Sequence, residues 1–380
     1  MKLFFCGDFC SKPSTHPITV SDELRQLIQS CDIKVVNFEV PLKPNVTLPP
    51  QKRERFYQNE DTPVFLRELG FNVFSLANNH TFDWGEEGFR KTKSALGDAA
   101  FGAGTYEEAF SVKVMEANGV KVGFLGFTFA AYTGVFHDVM NHKGLGCAYI
   151  NDLKVNHAIM KAKKNVDYLF ILPHDGIEYI DIPMPETIAR YRDFIDYGAD
   201  GVIGSHPHCP QGWEEYKGKP IFYSLGNFFF NSKEGYDYRA TNRPHWYEGL
   251  CVVLDIAKEK MSWKVVSTKN VDNLSIQIDH DEKRDIHHAV LCNYIHDHKA
   301  YMTYFKQICT EQGYGKEMFL VDKTFHPSSL KECTKKLLKN WMQKWRGKDF
   351  TNDYQLMRLL THDGRKNLLM HAIRQRLTKQ

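Results

Sequence analysis

The segment YGADGVIGSHPHCPQGWEEYKGKPIFYSLGNFFF, residues 197–230, contains two short apolar runs, the first of which is followed by polar side chains. The runs at 201–203 and 220–224 have the length and composition of buried strands. His206 and His208 come directly after the first run. Two imidazoles at positions i and i+2 of an extended backbone share one side, and the proline between them stiffens that geometry. This stretch therefore predicts a buried strand that ends in a pair of potential metal ligands.

Short apolar runs alternate with longer amphipathic stretches through the first 230 residues. Further strands are predicted at 2–6, 34–38, 73–77, 120–127 and 168–172. Amphipathic helices are predicted at 22–30, 62–69 and 186–197. Gly70 and Gly198 follow the last two, where a glycine commonly ends a helix. This alternation indicates an α/β architecture in which helices cover the sheets.

The pattern changes after residue 249. Three short strands, expected to be antiparallel, are predicted at 250–256, 260–267 and 274–279. Beyond residue 281 the chain becomes helix-rich and basic, and residues 331–380 carry 13 Lys and Arg against 4 Asp and Glu. We therefore predict one domain at 1–280 and a basic helical region at 281–380. The basic region could meet an anionic polymer, a nucleic acid or a membrane surface, or it could be a solvated helical face.

Composition excludes several classes of protein. Of the 380 residues, 42% are hydrophobic and 25% are charged, which excludes global disorder. No apolar run approaches the roughly 20 residues of a membrane-spanning helix. The first apolar run, at 3–6, is too short for a secretion signal, and the nine cysteines are scattered without CxxC pairs. These features predict a cytoplasmic protein with reduced thiols.

Metal-capable side chains follow five of the predicted strands. In sequence order they are Asp8, Glu39, Asn79 with His80, His174, and His206 with His208. Strand carboxyl ends form the ligand-binding edge of an open α/β sheet, so these side chains are expected to converge. Each has another explanation when taken singly: Asp8 could cap a helix, and His174 could be a partnered structural histidine. Together they form the ligand set of a site for two divalent metal ions, Mn, Zn or Fe.

Several strings carry a family resemblance. NFEVPL (37–42), SLANNHTFDWGEEG (75–88), FGAGT (101–105) and LPHDGIEY (172–179), together with the segment quoted first, resemble the CapA-type poly-γ-glutamate capsule-synthesis family. That family is a branch of the calcineurin-like metallophosphoesterases. The match extends over roughly residues 2–256. It implies a four-layer α/β/β/α metallophosphoesterase-like sandwich with a C-terminal helical extension.

The resemblance also implies a role for each site residue. It assigns Asp8 and His208 to the first metal ion, Glu39 to a bridging position, and Asn79, His174 and His206 to the second ion. His80 takes the place of a histidine that binds no metal and either donates to the developing negative charge or protonates the leaving group. Asp83 would hold the His80 ring by a hydrogen bond.

The sequence departs from the wider superfamily at Cys10, where phosphoesterases usually have a histidine. Cys10 could bind a soft metal as thiolate, although we expect an inert packing role. A second departure is the absence of the N-terminal anchor or signal that capsule-assembly members often carry. Anion-binding groups are expected in the loops, namely Lys52, Arg53, Arg55 and Arg243. Four aromatic residues are expected to form walls of the pocket: Tyr132, Phe136, Tyr179 and Trp246.

These features predict a metal-dependent hydrolase of phosphate esters or amides in capsular polysaccharide or poly-γ-glutamate metabolism. The alternative is a non-catalytic or degenerate accessory protein that binds an acidic polymer. A nucleic-acid phosphodiesterase is a third possibility, but the absence of a base-reading motif leads us to expect no specific nucleic-acid partner. The apolar and lysine-rich faces of residues 330–345 suggest either docking on the domain or contact with an anionic membrane surface. The sequence does not indicate the oligomeric state.

Overall fold

The computed structural model describes residues 1–14, 17–48, 55–129, 134, 136, 144–231, 237, 243–257, 260–311 and 363–377. The chain divides into two compact units, Met1–His296 and Asp297–Gln380. The first unit extends beyond the boundary that we predicted at residue 280. The reason is the helix Glu282–His296, which packs against the strand Trp213–Tyr216. There the backbone N–H of Trp213 donates to Cys292 Sγ at 3.4 Å.

The first unit contains two large sheets and one small one. Its strands are β1 (Lys2–Cys10), β2 (Thr19–Val20), β3 (Ile33–Phe38), β4 (Val73–Ser75), β5 (Ala100–Phe101), β6 (Ala103–Gly104), β7 (Lys113–Ala117), β8 (Val120–Thr128), β9 (Gly146–Cys147), β10 (Tyr168–His174), β11 (Gly201–Ile203), β12 (Trp213–Tyr216), β13 (Lys219–Phe222), β14 (Asn227–Phe230), β15 (Glu248–Ala257), β16 (Lys260–Val271) and β17 (Ser275–Ile278).

Seven α-helices of the described residues belong to this unit. They are α1 (Asp22–Gln29), α2 (Thr62–Glu68), α3 (Gly85–Leu96), α4 (Tyr106–Ala109), α5 (Lys154–Lys163), α6 (Pro185–Asp196) and α7 (Glu282–His296), and a 3-10 turn, Gly97–Ala99, follows α3. In the second unit the structure describes α8 (His298–Ile308) and α9 (Asp363–Leu377). The predicted amphipathic stretch at 330–345 lies outside the described residues.

The larger sheet has the strand order β2-β17-β16-β15-β1-β3-β4-β5, and β14 also pairs with β1. Strands β1, β3, β4 and β5 are parallel, whereas β15, β16 and β17 are antiparallel, as predicted for the segment after residue 249. The second sheet has the order β12-β13-β11-β10-β8-β7 with parallel β8, β10, β11 and β13. The third sheet is the β6-β9 pair.

The two large sheets pack face to face, and helices cover their outer faces. Phe5 and Leu250 of the larger sheet join Phe124 and Phe170 of the second sheet in the central core. Leu24 of α1 belongs to a core on the outer face of the larger sheet. Helices α5 and α6 cover the second sheet in the same way. The chain therefore has the predicted four-layer α/β/β/α arrangement.

Local sequence explains where the covering helices begin and end. The Ser21 side chain accepts from the backbone N–H of Leu24 and caps α1. Gly70 and Gly198, two positions after the last residues of α2 and α6, have φ values of 95° and 116°, a conformation that glycine adopts without strain. None of the helices in the described part of the chain combines the length and apolar character needed to cross a bilayer.

Candidate metal centre

The predicted ligands lie at or near the carboxyl ends of strands from both large sheets. Glu39 follows β3, His174 ends β10, and His206 follows β11. Asp8 differs from the prediction, because β1 continues to Cys10 and Asp8 therefore lies within the strand. The β1 pairings shift register on either side of Asp8, a β-bulge-like irregularity that redirects a side chain at a functional site.

The backbone around the ligands has unusual conformations. His206 and His208 have positive φ values of 103° and 55°, and Val40, next to Glu39, has 81°. Non-glycine residues rarely adopt this region, and such strain persists where the surrounding structure enforces it, often at functional sites. Strained backbone conformations therefore occur at two predicted ligands, His206 and His208, and next to a third, Glu39.

Asp8 is buried and held from two sides. Its Oδ1 accepts from Asn37 Nδ2 at 2.7 Å, and its Oδ2 accepts from the backbone N–H of His206 at 3.1 Å. Asp8 also lies 3.7 Å from His174 Nδ1 and 3.5 Å from His208 Nδ1. These two hydrogen bonds thus fix the Asp8 carboxylate in an orientation that places it next to His174 and His208.

Glu39 lies at the centre of the cluster and is fully buried. Its Oε1 lies 3.7 Å from His208 Nε2, 3.8 Å from His80 Nε2 and 3.9 Å from His174 Nε2, all too far for hydrogen bonds. Neither carboxylate oxygen has a hydrogen-bond partner among the described residues. Because a buried carboxylate without a partner is strongly destabilising, this arrangement fits residues that hold a cation.

The three ligands predicted for the second ion also converge. His174 Nε2 lies 2.8 Å from Asn79 Oδ1 and 3.2 Å from His206 Nδ1. His174 Nδ1 lies 3.0 Å from Ser205 Oγ on the opposite side of the ring. The structure thus brings all six predicted ligands together, in a donor set of carboxylate, amide and imidazole groups that suits Mn, Zn or Fe.

Burial sets the electrostatics of the cluster. It raises the pKa of Asp8, and it raises that of Glu39 well above the usual range, with the charges of Asp8 and Glu178 adding to the effect. Burial, followed by the neighbouring His206 and His208, lowers the pKa of His174 well below its usual value. A divalent cation would favour the charged carboxylates and the neutral imidazole that metal binding requires.

His80 is oriented as predicted. Its Nδ1 lies 2.7 Å from Asp83 Oδ2, and its Nε2 lies toward Glu39. The Phe56 ring packs against it with the ring centroids 5.4 Å apart. His80 therefore has one nitrogen bound to a carboxylate and the other directed at the cluster.

Cys10 packs as an apolar side chain. It is fully buried in a cluster with Val40, Phe230 and Trp246, and burial strongly raises the pKa of its thiol. Because a metal would bind the thiolate, these surroundings favour the packing role over metal binding.

The predicted cationic residues have different surroundings. The Arg243 guanidinium lies 4.2 Å from the Tyr179 ring centroid, and the adjacent Trp246 ring packs 5.0 Å from His208. Arg55 instead lies 5.8 Å from the Trp84 ring centroid. Lys52, Arg53 and Tyr132 are outside the described residues, and Phe136 packs instead against Tyr106 in the core on the second sheet. The structure therefore places Arg243 and two of the four predicted aromatic walls, Tyr179 and Trp246, beside the cluster.

Sequence reasoning missed Lys12 and Asn227. Lys12 Nζ lies 4.4 Å from the Phe56 ring centroid and 5.2 Å from that of Phe230, and these rings pack on His80 and His208 respectively. Asn227 Oδ1 lies 2.9 Å from His208 Nδ1. An amide oxygen can only accept, so His208 donates from Nδ1 and keeps its Nε2 lone pair for the cluster. Asn227 follows the predicted strand at 220–224, so the rule that found Asp8 could have found it.

A protein-family model described as "Bacterial capsule synthesis protein PGA_cap" matches residues 2–232. The chain belongs to this family. Among its curated relatives, capsule biosynthesis protein CapA of Bacillus anthracis is 36% identical over 180 residues, which cover 45% of this chain and 43% of that protein. PGA biosynthesis protein CapA of Bacillus subtilis (strain 168) is 31% identical over 212 residues, which cover 54% of this chain and 55% of that protein.

A more distant relative is a "Probable polyglutamine synthesis accessory protein" of Mycobacterium tuberculosis, 26% identical over 209 residues that cover 52% of this chain and 55% of that protein. The chain thus spans about half the length of the curated relatives that it matches. The predicted CapA-type family is confirmed for the part that carries the candidate metal centre.

Proposed function

We propose that this protein is a metal-dependent hydrolase in which two divalent ions, Mn, Zn or Fe, bind to Asp8, Glu39, Asn79, His174, His206 and His208. The observation that carries the proposal is the Glu39 carboxylate, which is fully buried without a hydrogen-bond partner among the described residues and has three imidazole Nε2 atoms within 3.9 Å. Two carboxylates buried together, Glu39 and Asp8, would both be ionised only in the presence of cations.

The chain's own residues have separate tasks around the ions. When bound, such ions supply an activated water and neutralise the negative charge that develops on the substrate. His80 Nε2, directed at the centre, delivers a proton to the leaving group, a contribution of about 10²–10⁴-fold in rate. Asp83 keeps the ring in that orientation through Nδ1. The aromatic rings around His80 and His208 exclude water from this side of the centre.

We propose an anionic substrate, either a phosphate ester or an amide within an acidic polymer. Lys12 and Arg243 provide positive charge at the aromatic walls of the centre. Membership in the capsule-synthesis family supports a role for such a reaction in the metabolism of capsular polysaccharide or poly-γ-glutamate. A cytoplasmic location remains a prediction from the cysteine usage.

A double variant, His206→Ala with His208→Ala, tests the metal centre. We expect it to lose the two equivalents of metal that this centre binds, measured by mass spectrometry of the purified full chain, and hydrolysis of aryl phosphate mono- and diesters and of γ-glutamyl amides. His280→Ala is the matched control, because its side chain is 71% exposed and pairs with Glu23. A double variant with the same metal content as wild type would refute the centre, and metal-replete wild type that hydrolyses none of these substrates would refute the activity.

The alternative is an accessory protein that binds an acidic polymer without cleaving it. It is favoured by the 13 Lys and Arg against 4 Asp and Glu in residues 331–380, and one relative carries the word accessory in its name. Binding of poly-γ-glutamate that survives metal removal and disappears on deletion of residues 331–380 would support it. Unchanged binding by the truncated chain would exclude the basic region as the polymer site.

A further inference from the structure

A second group of metal-capable side chains lies outside the candidate metal centre. Asp181 lies between β10 and α6, His245 lies just before β15, and His287 lies on α7. One ligand atom from each residue lies within 4.8 Å of the others, and all three side chains are half-buried. Three separate segments of the first unit thus bring two imidazoles and a carboxylate to one place.

The surroundings of His245 prepare it as a ligand. Its Nδ1 lies 2.8 Å from Glu248 Oε2, and a carboxylate can only accept, so Nδ1 donates and Nε2 retains its lone pair. Glu248 is buried, and Arg284 Nη1 lies 2.5 Å from its other oxygen. A carboxylate that orients the far nitrogen of a histidine is the usual support of a zinc ligand.

The two imidazoles are stacked with their centroids 4.7 Å apart and an interplanar angle of 12°. His287 Nε2 lies 3.9 Å from Asp181 Oδ2. A metal ion lies close to the plane of each imidazole ring that binds it. Two stacked rings have parallel planes that do not share such a position, so ion binding must rotate His245 or His287 out of the stack. Half-burial leaves the His287 ring room for this rotation about its side-chain bonds.

We propose that Asp181, His245 and His287 bind one divalent transition-metal ion, with Zn²⁺ as the best match, at a site distinct from the candidate metal centre. Two imidazoles and one carboxylate form a familiar three-ligand set for tetrahedral zinc, and a water completes the coordination. The mixture of nitrogen and oxygen donors disfavours Ca²⁺ and Mg²⁺, which prefer oxygen alone.

The ion has a structural consequence for the wall of the candidate centre. The short segment that carries His245 also carries Arg243 and Trp246, which pack on Tyr179, and Trp246 packs on His208. An ion at the second site ties this segment to α7 and to the segment of Asp181. It therefore fixes the position of the Arg243 and Trp246 wall without touching the reacting atoms.

Zinc titration of the metal-free full chain tests the site. Four proteins are compared: wild type, His287→Ala, the double variant His206→Ala with His208→Ala, and the triple combination. We expect His287→Ala to bind one equivalent of Zn²⁺ fewer than wild type, with a smaller zinc-dependent rise in unfolding temperature. The double variant should keep one equivalent, which the triple variant loses. Glu248→Gln, added to the double variant, should weaken binding of the one remaining equivalent of Zn²⁺ by about 10-fold or more.

Equal stoichiometry in wild type and His287→Ala would overturn the proposal. Asp181→Asn, which keeps the size of the side chain, provides the same comparison if His287→Ala fails to fold. His280→Ala is the control for removal of an exposed histidine. The second site does not depend on the proposed function. If the candidate metal centre binds no metal, wild type and the double variant bind the same amount of Zn²⁺, and both still bind the equivalent that depends on His287.

Discussion

His80 Nδ1 lies 2.7 Å from Asp83 Oδ2, and both side chains are almost completely buried. The carboxylate fixes the ring from one side, and on the other side His80 Nε2 lies 3.8 Å from Glu39 Oε1. His80 is therefore held at the candidate metal centre by a residue only three positions later in the chain. Nε2 is thus directed at the cluster, where we propose that it donates a proton to the leaving group.

Replacement of His80 separates proton transfer from metal binding. We expect His80→Ala to lower the hydrolysis rate by about 10²–10⁴-fold and to retain the metal content of wild type. Asp83→Asn should have a smaller effect, since the ring keeps its place but loses the carboxylate that fixes its orientation. Loss of metal from His80→Ala would instead identify His80 as a ligand.

Glu39 should destabilise the metal-free chain as pH rises. Burial raises its pKa above the ordinary value of 4.5, so the folded state holds the proton more tightly than the unfolded state does. The stabilisation from this proton is complete below the ordinary pKa and is lost as pH rises through the raised value. Glu39→Gln should therefore raise the unfolding temperature of metal-free protein at pH 8 and have a smaller effect at pH 5.

The control for this comparison is Glu60→Gln, whose exposed carboxylate pairs with Lys91 and whose loss should change stability by about 0.5 kcal/mol or less. With saturating metal, wild type should have a higher unfolding temperature than Glu39→Gln, because the ion stabilises wild type and binds the Gln variant poorly. A metal-free Gln variant that is less stable than wild type at pH 8 would contradict this account.

Metal binding should release protons. Because burial raises the pKa values of Glu39 and Asp8, the metal-free carboxyls hold their protons to higher pH than ordinary carboxyls do, and an ion displaces them. His174 contributes none, because its lowered pKa keeps it neutral. Calorimetric titration in two buffers with different ionisation enthalpies should detect released protons, and more of them at lower pH than at pH 8. Proton uptake on binding would be the opposite result.

Much of the fold and of the ligand set followed from local sequence pattern, because apolar runs specify buried strands and the strand ends specify where side chains gather. The run at 34–38 became β3, and Glu39 followed it as predicted. The pairing of β14 with β1 was not predicted, since local pattern carries no information about partners more than 200 residues apart. For the same reason the approach of Lys12 to Phe230, on β14, could not be foreseen.

Close approach of two backbone segments should make Gly7 intolerant of substitution. A Cβ on Gly7 would lie 1.9 Å from the carbonyl oxygen of Gly226, which accepts from the Asp8 N–H at 3.0 Å. Gly7→Ala must therefore push β14 away from β1 and displace Asp8. We expect a loss of about 3 kcal/mol or more in the free energy of unfolding, together with weaker metal binding.

Gly218→Ala is the matched control, because a Cβ on Gly218 would have no atom within 4 Å and only the φ of 75° opposes the change. Its expected effect is about 1 kcal/mol with unchanged metal content. Denaturant unfolding and metal analysis measure both quantities, and a Gly7→Ala chain as stable as the control would show that the two strands can separate freely.

Lys12 should govern affinity for anionic substrates. Its ammonium lies between the Phe56 and Phe230 rings, one packed on His80 and the other on His208, so it faces the space beside both imidazoles. Lys12→Met keeps the length of the side chain and removes the charge. We expect KM for a phosphate ester to rise about 10-fold with little change in kcat, as a lost charged contact of about 1.4 kcal/mol implies. Lys121→Met, at the exposed start of β8, is the control. Because Lys12 would act through its charge, the difference in KM between the two variants should shrink as the salt concentration rises. A difference in KM that persists at high salt would instead indicate that Lys12 acts by packing on Phe56 and Phe230.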